Sequence, residues 1–307
     1  MVLPHHTFRI MSSTLDAPLG ARTPDPASGA TFAAGERVPT RRRYLMCEPR
    51  FFTVEYVINP WMRPDQPVST ERAVEQWEQL RRTYERLGHT VETIEPQPGL
   101  PDMVFAANSG TVIDGRVLGS RFRAEQRAAE AEHFRRWFLE HGYRSVVMPE
   151  KINEAEGDFA WTGSLLLAGT GFRTDPGAHA EAQEVLGMPV VSLQLVDPRY
   201  YHLDVALFVL DDQSEHPLVA YYPDAFSPGS QQVLRRLFPD AVIANAEDAE
   251  CLGLNGVSDG RNVVLPMEAT HLAEKVAERG FEPVLVDVSE LRKSGGGPKC
   301  CTMELRD

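Results

Sequence analysis

Val104-Phe105-Ala106-Ala107-Asn108-Ser109-Gly110-Thr111-Val112-Ile113-Asp114-Gly115-Arg116-Val117-Leu118 reads as two short apolar strands, 104–108 and 111–118, with a hinge at Asp114-Gly115. An Asp-Gly pair supplies the positive φ values that a tight reversal needs. A helical pattern follows at 124–140. The same arrangement recurs outward in both directions. Strand pairs are expected at 158–161 and 164–168, at 202–208 leading into Val209, and at 252–257 and 262–265 across Asp259-Gly260. A last strand is expected at 300–305, with 44–46 beside it. Further helices are expected at 69–87, 179–186, 229–238 and 272–279. The units return about every 45–50 residues, a spacing typical of repeat architectures. Five of them predict an α/β fold closed into a ring of five blades, with the start of each inner strand facing a central channel. An ordinary mixed α/β sheet with chance similarity between segments would give the same periodicity.

Each strand pair opens on a residue able to bind or react: Asn108, Asp158, His202, Asn255 and Cys300. Gly295-Gly296-Gly297-Pro298-Lys299-Cys300-Cys301-Thr302 is the strongest local signal. Its glycines permit positive φ and close approach to a ligand. A cysteine after such a loop, beside a lysine, is expected as an exposed thiolate of lowered pKa, or else as a buried structural thiol. In Tyr201-His202-Leu203-Asp204, strand spacing would put His202 and Asp204 on one side, where a histidine can shuttle protons beside a carboxylate. Asn153-Glu154-Ala155-Glu156-Gly157-Asp158 gathers three carboxylates, as a charged surface turn or as acceptors for the planar donor fork of a guanidinium. Asp102 precedes the 104–108 strand and Asn108 ends it.

The chain has 307 residues and a net charge of −13, which argues against a nucleic-acid surface. No apolar run reaches the roughly 20 residues of a membrane helix, and the N-terminus lacks the apolar core of a secretory signal. Four cysteines, Cys47, Cys251, Cys300 and Cys301, form no CxxC pair, so a reduced, cytoplasmic protein without a structural metal or cofactor is expected. Residues 1–40 are rich in Pro, Ala, Ser, Gly and Thr and read as a flexible arm, with a single catalytic domain over 41–307. The expected partner is a small molecule, with neither nucleic acid nor membrane, and a homo-oligomer is left open.

Together and in this order, over roughly residues 41–307, these segments resemble the guanidino-group-modifying superfamily, whose fold is the five-bladed α/β propeller with pseudo-five-fold repeats. It includes arginine deiminases, dimethylargininases, amidinotransferases and arginine dihydrolases. The pairing of Gly-Gly-Pro-Lys-Cys300 with His202-Leu203-Asp204 carries most of the likeness. The resemblance implies Cys300 as nucleophile, His202 as general acid/base and Asp204 as a guanidinium-binding carboxylate. It implies Asp102 for the substrate α-amino group, and Arg127 and Arg173 for its α-carboxylate. Where most relatives have an acid, this chain has Ala155. The Glu154-Ala155-Glu156-Gly157-Asp158 spacing is closer to the arginine dihydrolases, and Glu154 is taken as the substrate carboxylate, with Glu156 second. Asn108 replaces the Asp of deiminases and dimethylargininases. With Cys47-Glu48-Pro49 and Ile58-Asn59-Pro60-Trp61-Met62, it again resembles the dihydrolases.

The resemblance implies attack of Cys300 on the guanidinium carbon, an S-alkylthiouronium intermediate, and release of a ureido product by water. An arginine dihydrolase, yielding ornithine, ammonia and CO2, is the leading expectation. A carboxamide at 108 that both donates to and accepts from a ureido group would favour its second round. A dimethylargininase, yielding citrulline and dimethylamine, is the alternative. An arginine deiminase, an amidinotransferase and a non-catalytic arginine-binding protein follow.

Overall fold

A computed structural model describes residues 37–307. The flexible arm expected over 1–40 falls mainly on residues 1–36, which lie outside the described residues. Residues 37–40 are tied down: Arg37 lies 3.6 Å over the Phe281 ring and pairs with Asp211, and the Thr40 amide donates to the Asp259 carbonyl.

Five three-stranded sheets form the fold, and all share one plan. An inner strand pairs antiparallel with a middle strand, which pairs parallel with an outer strand. Blade I is Met303–Glu304, Arg43–Cys47 and Thr90–Ile94; blade II is Gly110–Ile113, Arg116–Gly119 and Ser145–Val147. Blade III is Phe159–Trp161, Leu166–Thr170 and Val190–Gln194; blade IV is Leu207–Asp211, Leu218–Tyr221 and Val242–Ile243. Blade V is Val257–Ser258, Asn262–Pro266 and Glu282–Val286. The last strand of the chain pairs with the first in blade I, so the ring is closed by hydrogen bonds between its two ends. This is the five-bladed α/β propeller.

A parallel middle-to-outer step needs a crossover, and in each blade it carries a helix: Thr70–Arg86, Glu130–Glu140, Gly177–Leu186, Pro228–Leu237 and Thr270–Glu278. The first shows why. Ala73, Trp77, Leu80 and Tyr84 recur at helical spacing, are buried, and cover the sheet, while Ser69 caps the N-terminus by accepting from the Arg72 amide. Middle strands such as Leu166–Thr170 are buried on both faces and accordingly read as unbroken small or apolar runs.

One expectation is corrected here. The reactive residues do not sit in strands. Each of the first four inner strands is preceded by a tight 3-10 turn or an irregular segment that carries them: Ala106–Ser109 holds Asn108, Ala155–Gly157 follows Glu154, and Leu203–Val205 holds Asp204 and is capped by His202. His202 and Asp204 are therefore not strand neighbours on one side. The turns touch one another in sequence around the axis. A wider strand would separate their side chains, whereas a compact turn at each strand entry brings them together. Among the described residues no helix is long and apolar enough to cross a membrane.

Candidate active site

Asp102, Asn108, Arg127, Arg173 and Cys300, contributed by five different turns and loops, line one cleft. Ile58, Asn59 and Met62 roof it. That loop is set by Asn59, whose side-chain oxygen accepts from the Trp61 and Met62 amides at 2.9 and 3.3 Å while its Nδ2 donates to the Ser294 carbonyl at 3.0 Å.

Cys300 is buried, and its Sγ lies 3.1 Å from Asp204 Oδ2 and 3.1 Å from Asn255 Nδ2. Asn255 also accepts the Cys300 amide at 3.0 Å and donates to the Asp204 carbonyl at 2.9 Å. It thus clamps the Cys300 sulfur and Asp204 in one grip. It was legible as the residue that opens blade V, but nothing in the sequence gave it a role. Burial, reinforced by the Asp204 charge and its hydrogen bond, pushes the Cys300 thiol well above the usual range. The exposed, low-pKa thiolate expected from the sequence is therefore corrected. Lys299 does not help the thiol, because its Nζ is held by Glu156 at 2.6 Å and the Thr302 carbonyl at 2.9 Å. The glycine loop is also explained differently. Only Gly295 has positive φ, at 85°, while a Cβ on Gly296 would stand 2.2 Å from the Phe105 ring.

The direction of the thiol shift gives a test. A raised pKa keeps the proton on sulfur at neutral pH and releases it only as pH rises. Alkylation of Cys300 in the ligand-free chain, followed by peptide mass spectrometry, is expected to be slow at neutral pH and to accelerate above the ordinary thiol range. In Asp204→Asn the onset moves to lower pH, since a neighbouring charge that favours the thiol is gone. An unmoved onset would mean that burial alone sets it.

His202 is buried, with Nε2 2.8 Å from Glu154 Oε2. An ionised carboxylate only accepts, so Nε2 carries a hydrogen and Nδ1 is left as an acceptor, without a partner among the described residues. Glu154 also accepts from Arg173 Nη1 at 2.6 Å and from the Arg123 amide at 3.1 Å. Burial alone would raise Glu154, yet Arg173 and His202 hold it below the usual carboxylate range. Its oxygens are thus occupied by His202, Arg173 and the Arg123 amide. The expected second substrate carboxylate, Glu156, is elsewhere. It pairs with Lys299 and Arg306 in a cavity lined largely by the inner strands, which Asp204 also lines from the other side. The cause is Ala155, at φ 49°, a left-handed conformation that costs a residue with a Cβ about 1–2 kcal/mol and turns the flanking acids to different sides.

Asp102 accepts from Tyr56 at 2.6 Å and Ser294 at 3.3 Å at one end of the cleft. Arg173 stacks on Tyr201 and donates once from each terminal nitrogen, to Glu154 and to the Ile58 carbonyl, which leaves hydrogens on both for a ligand carboxylate. Arg127 is more fully engaged. It makes a two-pronged ion pair with Glu130, a bond to the Asp102 carbonyl, and a 2.7 Å bond to Asn108 Oδ1. A single Nη1 hydrogen remains for a ligand. Asn108 Nδ2, His202 Nδ1 and Asp204 Oδ1 are buried without partners among the described residues, a donor and two acceptors that await something polar.

Gly157 makes room for two of them. A Cβ there would stand 2.5 Å from Asn108 Nδ2 and 3.1 Å from His202 Nδ1. Gly157→Ala is expected to lower kcat/KM by about 100-fold, the size of effect that misplaced reacting groups produce. Steady-state kinetics alongside a melting curve checks this, and wild-type kcat/KM in a folded variant would refute it.

No family model matches the chain. It is 52% identical over 269 residues to a protein of Mycobacterium tuberculosis named N(G),N(G)-dimethylarginine dimethylaminohydrolase, covering 88% of this chain and 87% of that one. The chain belongs to the guanidino-group-modifying superfamily. Its relatives are named as hydrolases of such groups, and it is a hydrolase of guanidino carbon–nitrogen bonds. It is also 36% identical over 271 residues to the bifunctional arginine dihydrolase/ornithine cyclodeaminase ArgZ of Synechocystis, which covers 86% of this chain but only 38% of that protein. The crystal structure of the ArgZ N-terminal domain, a cysteine-to-serine variant bound to substrate, matches with a TM-score of 0.81 at 35% identity, over 87% of this chain and 98% of that one. Among the described residues no group of His, Cys, Asp and Glu is placed to hold a metal ion.

Proposed function

We propose that residues 41–307 form a catalytic domain that hydrolyses N,N-dimethylarginine to citrulline and dimethylamine. The 52% identity to the mycobacterial protein of that name is the observation that carries this choice of substrate. Arginine dihydrolase activity is the second reading, favoured by Asn108 and by the likeness to the ArgZ domain.

The chemistry is common to both. Asp102 receives the substrate α-amino group and Arg173, with the remaining Arg127 hydrogen, its α-carboxylate. The guanidinium then comes to rest against Asp204. Its positive charge offsets the carboxylate that holds the Cys300 proton, so binding itself favours the thiolate. Sulfur attacks the central carbon as the thiol proton passes to His202 Nδ1. His202 returns that proton to the departing amine, the C–N bond breaks, and a thiouronium remains on Cys300. Water then adds to the same carbon and gives a proton to His202. The C–S bond breaks, its electron pair returns to sulfur, the hydroxyl proton passes to that sulfur as the ureido product leaves, and His202 gives its own proton to solvent. Asn255 holds sulfur and carboxylate in register through both halves.

Product analysis by mass spectrometry tests the reading, with arginine and N,N-dimethylarginine offered separately. Dimethylamine and citrulline from the methylated substrate alone establish the first reading. Ornithine with about two ammonia per arginine establishes the second. A requirement for an added acceptor amine would displace both in favour of amidino transfer.

A further inference from the structure

Arg127 is buried in the cleft wall with a carboxylate on one side and a carboxamide on the other. Glu130, the first residue of the Glu130–Glu140 helix, is fully buried and grips Arg127 with both oxygens, at 3.0 Å to Nε and 2.8 Å to Nη2. This fork-to-fork geometry fixes the plane of the guanidinium as well as its position. Nη1 is thereby aimed at Asn108, 2.7 Å from the side-chain oxygen. A guanidinium has only donors to offer, so the atom that faces it must be the oxygen. The Asn108 carboxamide cannot flip while this contact stands. Its Nδ2 must point the other way, into the site, where it is buried, unpartnered and next to the His202 ring above Gly157.

We infer that Glu130, acting through Arg127, is a positioning residue that locks Asn108 as a pure hydrogen-bond donor toward the reacting carbon. The inference rests on the thiouronium reaction proposed above. It replaces the expectation that Asn108 both donates and accepts, because its oxygen is turned to Arg127 and Nδ2 is the atom that faces the site.

A pure donor distinguishes the two half-reactions. In the first, the carbon carries only nitrogens bearing hydrogen or methyl; the planar guanidinium has no free lone pair to accept a hydrogen, and the one nitrogen that later takes a proton is served by His202. In the second, water forms a C–O bond, the C–S bond breaks, and a ureido oxygen grows on that carbon. Asn108 Nδ2 can donate to this oxygen alone. The lock therefore accelerates hydrolysis of the Cys300 adduct and leaves its formation nearly untouched. It also suits a ureido group held for a further round.

The experiment is rapid quench of the full chain with N,N-dimethylarginine and with arginine, read by intact-protein mass spectrometry for the fraction of Cys300 carrying the adduct. Glu130→Gln is expected to slow adduct hydrolysis by about 10- to 100-fold, the range of a lost or misdirected oxyanion donor, with adduct formation within about threefold of wild type. Adduct then accumulates where wild type shows little. Asn108→Asp keeps an oxygen for Arg127 but turns the free group into an acceptor, and it should give the same accumulation without disturbing the ion pair. Adding Glu130→Gln to Asn108→Asp should slow hydrolysis no further, since both changes remove one donor. An unchanged adduct fraction in Asn108→Asp, or in a folded Glu130→Gln chain, overturns the inference. So does a multiplicative loss in the double variant, which would mark a structural role for Glu130. A wild-type chain that forms neither adduct nor product overturns the function reading itself, and the inference falls with it.

Discussion

A Cys300→Ala chain is expected to bind arginine or N,N-dimethylarginine and to convert neither. The loss should be on the order of 10⁶-fold in kcat, as when a covalent nucleophile is removed from a site whose other groups remain. The groups assigned to the substrate's ends, Asp102 and Arg173, are anchored by Tyr56, Ser294, Glu154 and the Ile58 carbonyl, none of which depends on the sulfur. Binding therefore survives. The adjacent Cys301 does not substitute. It is fully buried, does not line the cleft, and burial pushes its thiol up as well. Calorimetry and product assays on Cys300→Ala and Cys301→Ala together make the check. Turnover retained in the first variant, or lost in a well-folded second, would move the nucleophile to the wrong neighbour.

Glu154→Gln is expected to lower kcat by about 10³- to 10⁴-fold, comparable to the loss when a carboxylate that orients a catalytic histidine becomes an amide. Its Oε2 holds both His202 Nε2 and Arg173 Nη1, at 2.8 and 2.6 Å. An amide can present its N–H2 to Nε2, which would place the imidazole hydrogen on Nδ1, the nitrogen meant to receive a proton. Arg173 simultaneously loses its counter-charge in a buried setting, at a cost of about 3–5 kcal/mol in stability. KM should rise as well, because Arg173 is the better-supplied of the two arginines for the substrate carboxylate. Steady-state kinetics with a thermal melt separates these effects. A variant with near wild-type kcat would mean that His202 is oriented by something else, of which buried Asp158 is the neighbouring candidate: its carboxylate takes the Leu203 and Thr174 amides.

The site was partly legible because its chemistry is local. Asp102, Asn108, Glu154, His202 and Cys300 each sit where a turn signal meets a short apolar strand, and the five-fold recurrence of that pattern pointed to a common centre. What each residue would touch was not legible. Glu130 and Arg127 lie three apart at the head of a helix, a spacing shared by many exposed ion pairs, and only burial beside Asn108 makes theirs consequential. Glu154 and Glu156 look equivalent in sequence, yet on either side of a left-handed Ala155 one turns to His202 and Arg173 and the other to Lys299 and Arg306.

By itself, then, the sequence determined the five-fold recurrence, the tight turns and the helical faces, which follow from near-neighbour patterns of apolar and turn-forming residues within a short window; it did not determine strand bounds, since 104–108 folds largely as 3-10 turns and the inner strand begins at Gly110. It also determined which residues have reactive chemistry. Tertiary structure alone decided their states. The thiol is protonated because burial and Asp204 act on it across a gap of 96 residues, and Asn108 is a donor because Arg127 claims its oxygen. Protonation and hydrogen-bond polarity depend on dielectric and on neighbours in space, and both exist only once the five blades have closed.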